Sequence, residues 1–300
     1  MSSLLMLFAC LVLGFLVARF ARPPDNMVNA LNWWVLRIAL PALVLELVPK
    51  LDFAADLWFA AAPVWIGFLG AWAVFGWLGP RLGWSRGRTG ALILVCGLGN
   101  TTFLGYPLIE ALVGKQALGI AVISDQFGSF PILVTLAVVV ASIYAGLKPH
   151  PGRIAVRIFT FPAFLALLLG IAVNLAGGWP PLIGNALTPL AATLTPVALF
   201  SVGLRFRVSL GSRQMLGAAC LGWGWKLLAA PLLAWGLALL TGVSGPIFHV
   251  GVLQAGMAPM VSATILATDY DLDPPLANSI LGIGIVLSLI TVPVLNVLMG

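Results

Sequence analysis

The chain has 300 residues, of which 61% are hydrophobic and 8% are charged, and its formal net charge is +6. A soluble domain carries charged side chains at about a quarter of its positions, so this composition excludes a soluble globular protein and indicates a surface that faces lipid. A membrane helix needs roughly 20 apolar residues, and the length therefore allows about ten spans with short loops.

Ten apolar segments follow one another along the chain, and we name them spans 1 to 10. Basic residues follow span 1 rather than precede it, so we interpret it as a retained helix and not as a signal peptide. The predicted ranges are 4–20, 30–48, 57–78, 89–113, 116–144, 158–176, 181–204, 215–240, 246–268 and 274–299. These segments predict an all-α polytopic membrane protein with ten transmembrane helices.

The basic residues of the loops lie almost entirely on one side of this ten-span topology. One side holds eleven of them, whereas the other holds Lys50 and Lys115. Because basic loops stay in the cytoplasm, we expect both termini to face outward. The eleven are Arg19, Arg22, Arg81, Arg86, Arg88, Lys148, Arg153, Arg157, Arg205, Arg207 and Arg213.

Two halves of five spans would enter the membrane from opposite sides, as in inverted repeats. Residues 1–147 form the first predicted repeat, 148–157 form a cytoplasmic linker and 158–300 form the second repeat. Weak internal similarity supports this division, since the sequence following Pro41 in span 2 is similar to that following Pro196 in span 7.

Spans 4 and 9 each contain a stretch that a continuous helix does not favour. In span 4, three glycines and Pro107 surround small polar residues, and in span 9 Gly256 and Pro259 occupy the centre. We expect both helices to be broken, with half-helices resuming near the two prolines. The N-terminus of a helix favours a negative charge, so paired breaks predict a site for an organic anion.

The polar residues, a glycine and the prolines at the two breaks are the candidates for binding this anion. The alternative is that they only satisfy backbone groups that the breaks set free. The candidates are Asn100, Thr101, Thr102, Pro107, Gln254, Gly256, Pro259 and Ser262.

Asp125, Gln126 and Lys226 are the candidates for coupling transport to an ion. An aspartate deep in a span is expensive and usually functional, and Asp125 could carry a proton. Alternatively, Asp125 forms a structural pair with Lys226 or Arg37, and Lys226 extends towards the cytoplasm. Glu46 and Glu110 lie near the outer ends of spans 2 and 4, where we expect a capping or interfacial role.

Motifs for other chemistry are absent from the sequence. It contains no nucleophile elbow, Walker loop, zinc-protease motif or dinucleotide fingerprint. The aspartates at 269, 271 and 273 lack the glycine and glutamate of a calcium loop, and Asp273 instead predicts a helix cap before Pro274. We therefore expect no enzyme activity, cofactor, metal site or nucleic-acid partner.

With these motifs in view, the chain resembles the auxin efflux carrier family in its compact bacterial form, often named malonate or malate permease, which is related to the plant PIN carriers. The resemblance covers essentially the whole chain. Its most specific parts are residues 99–108, Asp125-Gln126, residues 226–232, Ala258-Pro259 and residues 270–274.

The resemblance implies two inverted five-helix repeats with crossed helices 4 and 9, as in bile-acid symporters and sodium–proton antiporters. Spans 1, 2, 6 and 7 would form a scaffold and homodimer surface, and spans 3, 4, 5, 8, 9 and 10 an elevator-like transport domain. It also implies an organic-anion carrier of the bacterial inner membrane, driven by protons or by the membrane potential. The alternatives are a sodium-coupled symporter and an anion sensor that transports nothing.

Overall fold

In the computed structural model, the described residues are 2–148, 160–205 and 213–300, and they form helices and no strands. The prediction of an all-helical membrane protein is confirmed for this part of the chain. Most of the predicted linker, with Arg153 and Arg157, lies outside the described residues, as does Arg207. The ten-span count and the inverted repeat stay predictions.

Six helices in the described ranges are long and apolar enough to cross a membrane. Two further apolar helices, Leu5–Ala21 and Pro162–Leu175, are shorter and coincide with spans 1 and 6. The six long helices are Met27–Lys50, Ala55–Arg81, Lys115–Tyr144, Pro181–Arg205, Met215–Thr241 and Pro274–Leu298. They correspond to predicted spans 2, 3, 5, 7, 8 and 10.

Spans 4 and 9 are interrupted, as the sequence predicts. The first helix of span 4 is Arg86–Gly97, and a helix resumes with a π-helical turn at Thr101–Gly105 that continues into Tyr106–Leu112. Span 9 consists of Gly245–Ala255 and Val261–Asp269. Each break therefore leaves only a few residues without helical structure.

The described residues contain five π-helical turns. One of them, Val17–Ala21, ends the helix of span 1, and prolines account for the four that lie inside spans. Each of these four turns ends two residues before a proline, because the proline ring clashes with the carbonyl four residues earlier and widens the helix. The turn and its proline are Val35–Ala39 with Pro41, Thr101–Gly105 with Pro107, Asp125–Ser129 with Pro131, and Trp225–Ala229 with Pro231. Asp125 and Lys226 thus both lie on widened turns.

The chain divides into two compact units that do not follow the sequence halves. The first unit comprises Met1–Ala55, Thr102–Val122 and Val156–Phe206. The second comprises Asp56–Thr101, Ile123–Ala155 and Arg207–Gly300. The division into repeats concerns internal similarity rather than compactness, and it stays a prediction.

Close backbone contact between spans 1 and 7 stabilises the first unit. A β-carbon added at Gly203 would lie 2.3 Å from the Leu11 carbonyl oxygen and 3.0 Å from the Gly14 Cα. Only glycine allows two helices to approach this closely. Buried carbonyl oxygens near the end of span 2 are satisfied by side chains, since Asn174 Nδ2 donates to the Pro49 oxygen at 3.0 Å.

In the second unit, spans 3, 4, 5, 8, 9 and 10 contribute to a core that contains Phe68, Leu92 and Ile280. The start of span 10 is fixed by Asp273, whose carboxylate accepts from the Leu276 N–H at 3.4 Å and pairs with Arg88 at 2.9 Å. The predicted cap at Asp273 is therefore confirmed. This capping explains the aspartate before Pro274 without a calcium ion.

Replacement of Gly203 by alanine should destabilise the first unit, because the added methyl group would overlap the Leu11 carbonyl. Overpacking of this kind costs about 1–3 kcal/mol, and thermal unfolding of the purified protein in detergent measures it. Gly184→Ala is the matched control, since nothing lies within 4 Å of an added β-carbon there. Equal unfolding temperatures for the two variants would contradict the close contact of spans 1 and 7.

Candidate functional site

The two helix breaks pair with each other in the second unit. Gly99 and Pro259 form an antiparallel bridge, flanked by two backbone hydrogen bonds. The Asn100 N–H donates to the Ala258 oxygen at 2.7 Å, and the Met260 N–H donates to the Leu98 oxygen at 3.1 Å. Backbone groups that a broken helix cannot satisfy are thus satisfied by the other break.

Glycines make room for the paired breaks at two places. An added β-carbon at Gly284 in span 10 would lie 2.6 Å from Pro259 Cδ, so span 10 packs directly against the second break. A β-carbon at Gly99 would lie 2.9 Å from Lys226 Nζ and 3.2 Å from the Gln254 carbonyl oxygen. The first break therefore lies against a lysine side chain and the end of the first helix of span 9.

The Asp125 carboxylate accepts hydrogen bonds from a hydroxyl and an amide group next to the first break. The Thr101 hydroxyl donates to Asp125 Oδ1 at 2.5 Å, and Gln126 Nε2 donates to Oδ2 at 2.9 Å. Thr101 Oγ1 also lies 2.9 Å from Ser129 Oγ. Because the single Thr101 hydrogen points to the carboxylate, Ser129 donates in that bond. The network connects the π-helical turn of span 5 to the break of span 4.

Two buried glutamines each leave an acceptor without a partner among the described residues. Gln254 is 0% exposed and Gln126 is 1% exposed. Gln254 Nε2 donates to the Thr101 carbonyl at 3.4 Å, and the Oε1 atoms of both side chains have no hydrogen-bond partner. Buried acceptors of this kind are uncommon and costly.

Lys226 places a basic side chain against the first break. Its side chain is 2% exposed, and Nζ lies against Gly99. The ion pairs of the described residues join Arg88 to Asp273 and Lys115 to Glu110, and neither includes Lys226. The expectation of a direct structural pair between Asp125 and Lys226, and that of an extended lysine reaching the cytoplasm, are therefore wrong.

The helix of span 4 resumes earlier than the sequence predicts, whereas that of span 9 resumes close to Pro259, as predicted. In span 4 the helix resumes at Thr101, six residues before Pro107, because the π-helical turn accommodates that proline inside the helical path. In span 9 it resumes at Val261, since Pro259 belongs to the extended segment that pairs with Gly99. The prolines themselves therefore do not mark the two helix starts.

The remaining candidate binding residues are divided between the two units. Thr102 and Pro107 are buried and belong to the first unit. Gly256 is buried and packs near Pro231, whereas Ser262 is half-buried in the first turn of Val261–Asp269. The candidates that belong to the second unit are Asn100, Thr101, Asp125, Gln126, Lys226, Gln254, Gly256, Pro259 and Ser262.

The two outer glutamates have local partners within the first unit. Glu110 accepts from the Thr195 hydroxyl at 3.3 Å and lies 3.9 Å from Lys115 Nζ. Glu46 accepts from the Thr188 hydroxyl at 2.9 Å. These contacts fit the interfacial role predicted for both side chains.

The family of this chain follows from a match over nearly its whole length. Residues 1–296 match the family described as Membrane transport protein. The chain belongs to this membrane transport protein family. The resemblance to auxin efflux carriers is thereby confirmed over essentially the full length of the sequence.

Relatives of this membrane transport protein occur in archaea, bacteria and plants. A Methanothermobacter thermautotrophicus protein named "Uncharacterized transporter" is 28% identical over 99% of this chain and 98% of its own length. A Rhizobium meliloti protein named "Putative malonate transporter" is 26% identical over 95% of this chain and 91% of its own. "Auxin efflux carrier component 5" of Arabidopsis thaliana is 22% identical over 96% of this chain and 93% of its own.

Sequence reasoning missed two contributors to the site of this membrane transport protein. Ser129 lies four residues after Asp125, and that helical spacing places the two on one face, which could have revealed it. Ser124 is also buried beside Asp125, and its hydroxyl has no hydrogen-bond partner among the described residues. A serine next to an aspartate matches no sequence motif. The sequence alone therefore could not indicate that its hydroxyl is buried without a hydrogen-bond partner.

Thr101→Val should destabilise the protein while preserving the shape of the side chain. The change removes the donor to Asp125 and the acceptor for Ser129, and a buried polar group left unsatisfied costs about 1–3 kcal/mol. The measurement is thermal unfolding in detergent. Thr268→Val serves as control, because that hydroxyl donates to the Thr264 carbonyl within its own helix. Equal effects of the two substitutions would show that the Asp125 network contributes no stability.

Proposed function

We propose that this protein is a secondary transporter of a small organic anion, such as a carboxylate or an auxin-like weak acid, and that the anion binds at the paired breaks of spans 4 and 9. The observation that carries this proposal is the pairing of the two helix breaks. Two interrupted helices meet at Gly99 and Pro259, beside a buried cation and a buried carboxylate. Discontinuous helices with polar groups at their break are the usual binding sites of secondary transporters.

The family and the names of its relatives support this substrate class. One relative is named for malonate and another for auxin, and both compounds are organic acids. Lys226 supplies the positive charge that an organic anion requires in a site of low dielectric constant. An uncharged sugar would not need this positive charge.

We propose an elevator-type alternating-access mechanism in a bacterial inner membrane. Ten spans in two inverted repeats would place both termini outside, as the basic loops indicate. A homodimer formed through spans 1, 2, 6 and 7 would provide the fixed part of the assembly. Crosslinking of single cysteines placed in spans 1 and 7 would test the dimer, and accessibility of cysteines at both termini would test the topology.

We further propose that Asp125 carries the coupling proton. Its carboxylate accepts from Thr101 in the break and from Gln126 in its own turn. A proton on one oxygen would reverse the direction of one of these hydrogen bonds. Protonation would thereby alter the support of the break where the anion binds, which is how a proton gradient could drive transport.

Asp125→Asn should abolish transport driven by a pH gradient, because the amide cannot exchange a proton. Proteoliposomes with pH and voltage set independently provide the measurement, with a panel of labelled mono- and dicarboxylates and indole-3-acetate as substrates. Exchange of labelled for unlabelled substrate at equal pH should persist. Asp56→Asn is the matched control, since Asp56 is an exposed carboxylate of the same unit.

The same assay distinguishes the competing functions. If Asp125→Asn leaves pH-driven uptake unchanged, the proton role fails and the membrane potential becomes the driving force. Stimulation by sodium at fixed pH would instead favour a sodium-coupled symporter, for which the free oxygens of Gln126 and Gln254 are suitable ligands. Binding without any exchange of substrate would identify an anion sensor.

A further inference from the structure

Arg37 is a charged residue of the first unit that the proposed anion site does not include. It lies on the π-helical turn Val35–Ala39 of span 2, and the residue is exposed. Its guanidinium group stays charged in proteins and carries five N–H donors. The hydrogen bonds and ion pairs of the described residues do not involve this group. Arg37 therefore needs a partner that the described part of the chain does not supply.

Two helices place Arg37 near the middle of the apolar spans. It follows Met27, the first residue of the long helix Met27–Lys50, by ten residues, or about 15 Å. Its neighbour Trp34 donates from Nε1 to Thr193 Oγ1 at 3.0 Å, and Thr193 is the central residue of the helix Pro181–Arg205. The other described basic residues of this unit lie at or beyond helix ends. They are Arg19, Arg22, Lys50, Lys115 and Arg205.

Hydrocarbon is an unsuitable environment for the Arg37 side chain. A charge at the centre of a membrane-spanning helix is strongly unfavourable unless it faces water or an oppositely charged group. Long basic side chains near helix ends extend to the membrane surface, but an arginine side chain covers only about half of the distance from Arg37 to the end of its helix. The guanidinium group therefore meets water or a negative charge at its own depth.

The acidic residues of the first unit are unsuitable partners, including those of a second copy. The unit contains four of them. Asp25 and Asp52 lie beyond the two ends of the helix that carries Arg37. Glu46 accepts from Thr188, whereas Glu110 accepts from Thr195 and lies 3.9 Å from Lys115 Nζ. Water is thus the remaining environment that compensates the charge.

The exposed surface around Arg37 continues towards one end of span 2. Trp33, one turn earlier, is 58% exposed, and Asn26, three turns earlier, is also exposed. Leu40 and Val44, one and two turns later, are buried. Residues separated by whole turns share one face of a helix, so this face is exposed from Asn26 to Arg37 and covered beyond it.

We propose that the face of span 2 from Asn26 to Arg37 is accessible to water and that Arg37 attracts small anions to it. A positive charge at the inner end of a water-filled path with apolar walls favours anions over cations. The path begins at the end of span 2 that is cytoplasmic in the proposed topology. The inference goes beyond the proposed function, since it concerns the first unit and does not depend on where the substrate binds.

The reaction of engineered cysteines with a membrane-impermeant reagent tests the access of water. Cys10→Ala with Cys220→Ala is the background, because the remaining Cys96 is 0% exposed. In sealed membrane vesicles, Arg37→Cys should react with the anion sulfonatoethyl methanethiosulfonate from the side on which Asn26→Cys reacts. Mass spectrometry of the purified full chain measures the modified fraction.

Leu13→Cys is the matched control for a side chain that faces lipid. Leu13 lies in the middle of span 1 of the same unit and is 54% exposed. A thiol in hydrocarbon does not meet the charged reagent, so this cysteine should stay unmodified. Lys50→Cys, at the opposite end of span 2, should react from the other side of the membrane.

A second measurement isolates the charge of Arg37. Trp33→Cys lies one turn away on the exposed face, and its reaction rates with the anionic reagent and with the cation trimethylammonioethyl methanethiosulfonate are each divided by the rate of a free thiol. The ratio of anionic to cationic rates should be at least about threefold higher with Arg37 than with Arg37→Gln. Arg37→Lys should keep most of this preference. Salt at about 1 M should remove it, because the screening length falls to about 3 Å.

Two further variants secure the charge measurement. Arg81→Gln removes an exposed arginine of the second unit, and it should leave the ratio unchanged. If Trp33→Cys does not fold, as judged by its elution profile, Ala30→Cys replaces it, since Ala30 is exposed on the same helix.

The inference is wrong if Arg37→Cys is as unreactive as Leu13→Cys, or if the ratio at Trp33→Cys does not depend on Arg37. Disulfide formation between two copies of Arg37→Cys, in place of modification, would put the residue in a subunit interface and would also overturn it. Neither measurement requires transport. Failure of substrate exchange in proteoliposomes would therefore count against the proposed function and not against this inference.

Discussion

Hydrocarbon offers no partner for a backbone N–H or C=O group, and the structure of this protein depends on how that constraint is met at two interrupted helices. Neither break could exist alone, since each leaves polar groups that its own helix cannot satisfy. The bonds from Asn100 to Ala258 and from Met260 to Leu98 satisfy these groups mutually. The two breaks are therefore one structural element, made from segments about 160 residues apart in sequence.

Prolines extend the same constraint to the surrounding helices. Each proline removes one N–H and widens the preceding turn, which frees a carbonyl that another group must satisfy. Pro131 frees the Phe127 oxygen, and Trp65 Nε1 donates to it at 2.8 Å. The widened turn before Pro131 also carries Asp125, and the one before Pro231 carries Lys226. The prolines thus place both buried charges on turns with irregular geometry.

Much of this arrangement could be predicted from the sequence, because its signals are local. Apolar length predicts the helices, and glycine with proline predicts the breaks of spans 4 and 9. The pairing partners of individual groups could not be predicted, since they depend on tertiary packing. Asp125 thus binds Thr101 rather than Lys226, and the helix of span 4 resumes at Thr101 rather than near Pro107. The difference in span 4 arises from its π-helical turn, which accommodates Pro107 inside the helix.

Backbone pairing is what two broken helices require of each other, because it satisfies polar groups that the breaks set free. The Asp125 network, the Lys226 ammonium group and the free oxygens of Gln126 and Gln254 are polar groups beyond that requirement. The ammonium group and the free oxygens weaken the folded state unless something binds them, because burial removes their hydration. Apolar residues of similar volume would fill the same space at lower cost. Their presence beside the paired breaks therefore supports the ligand site that we propose.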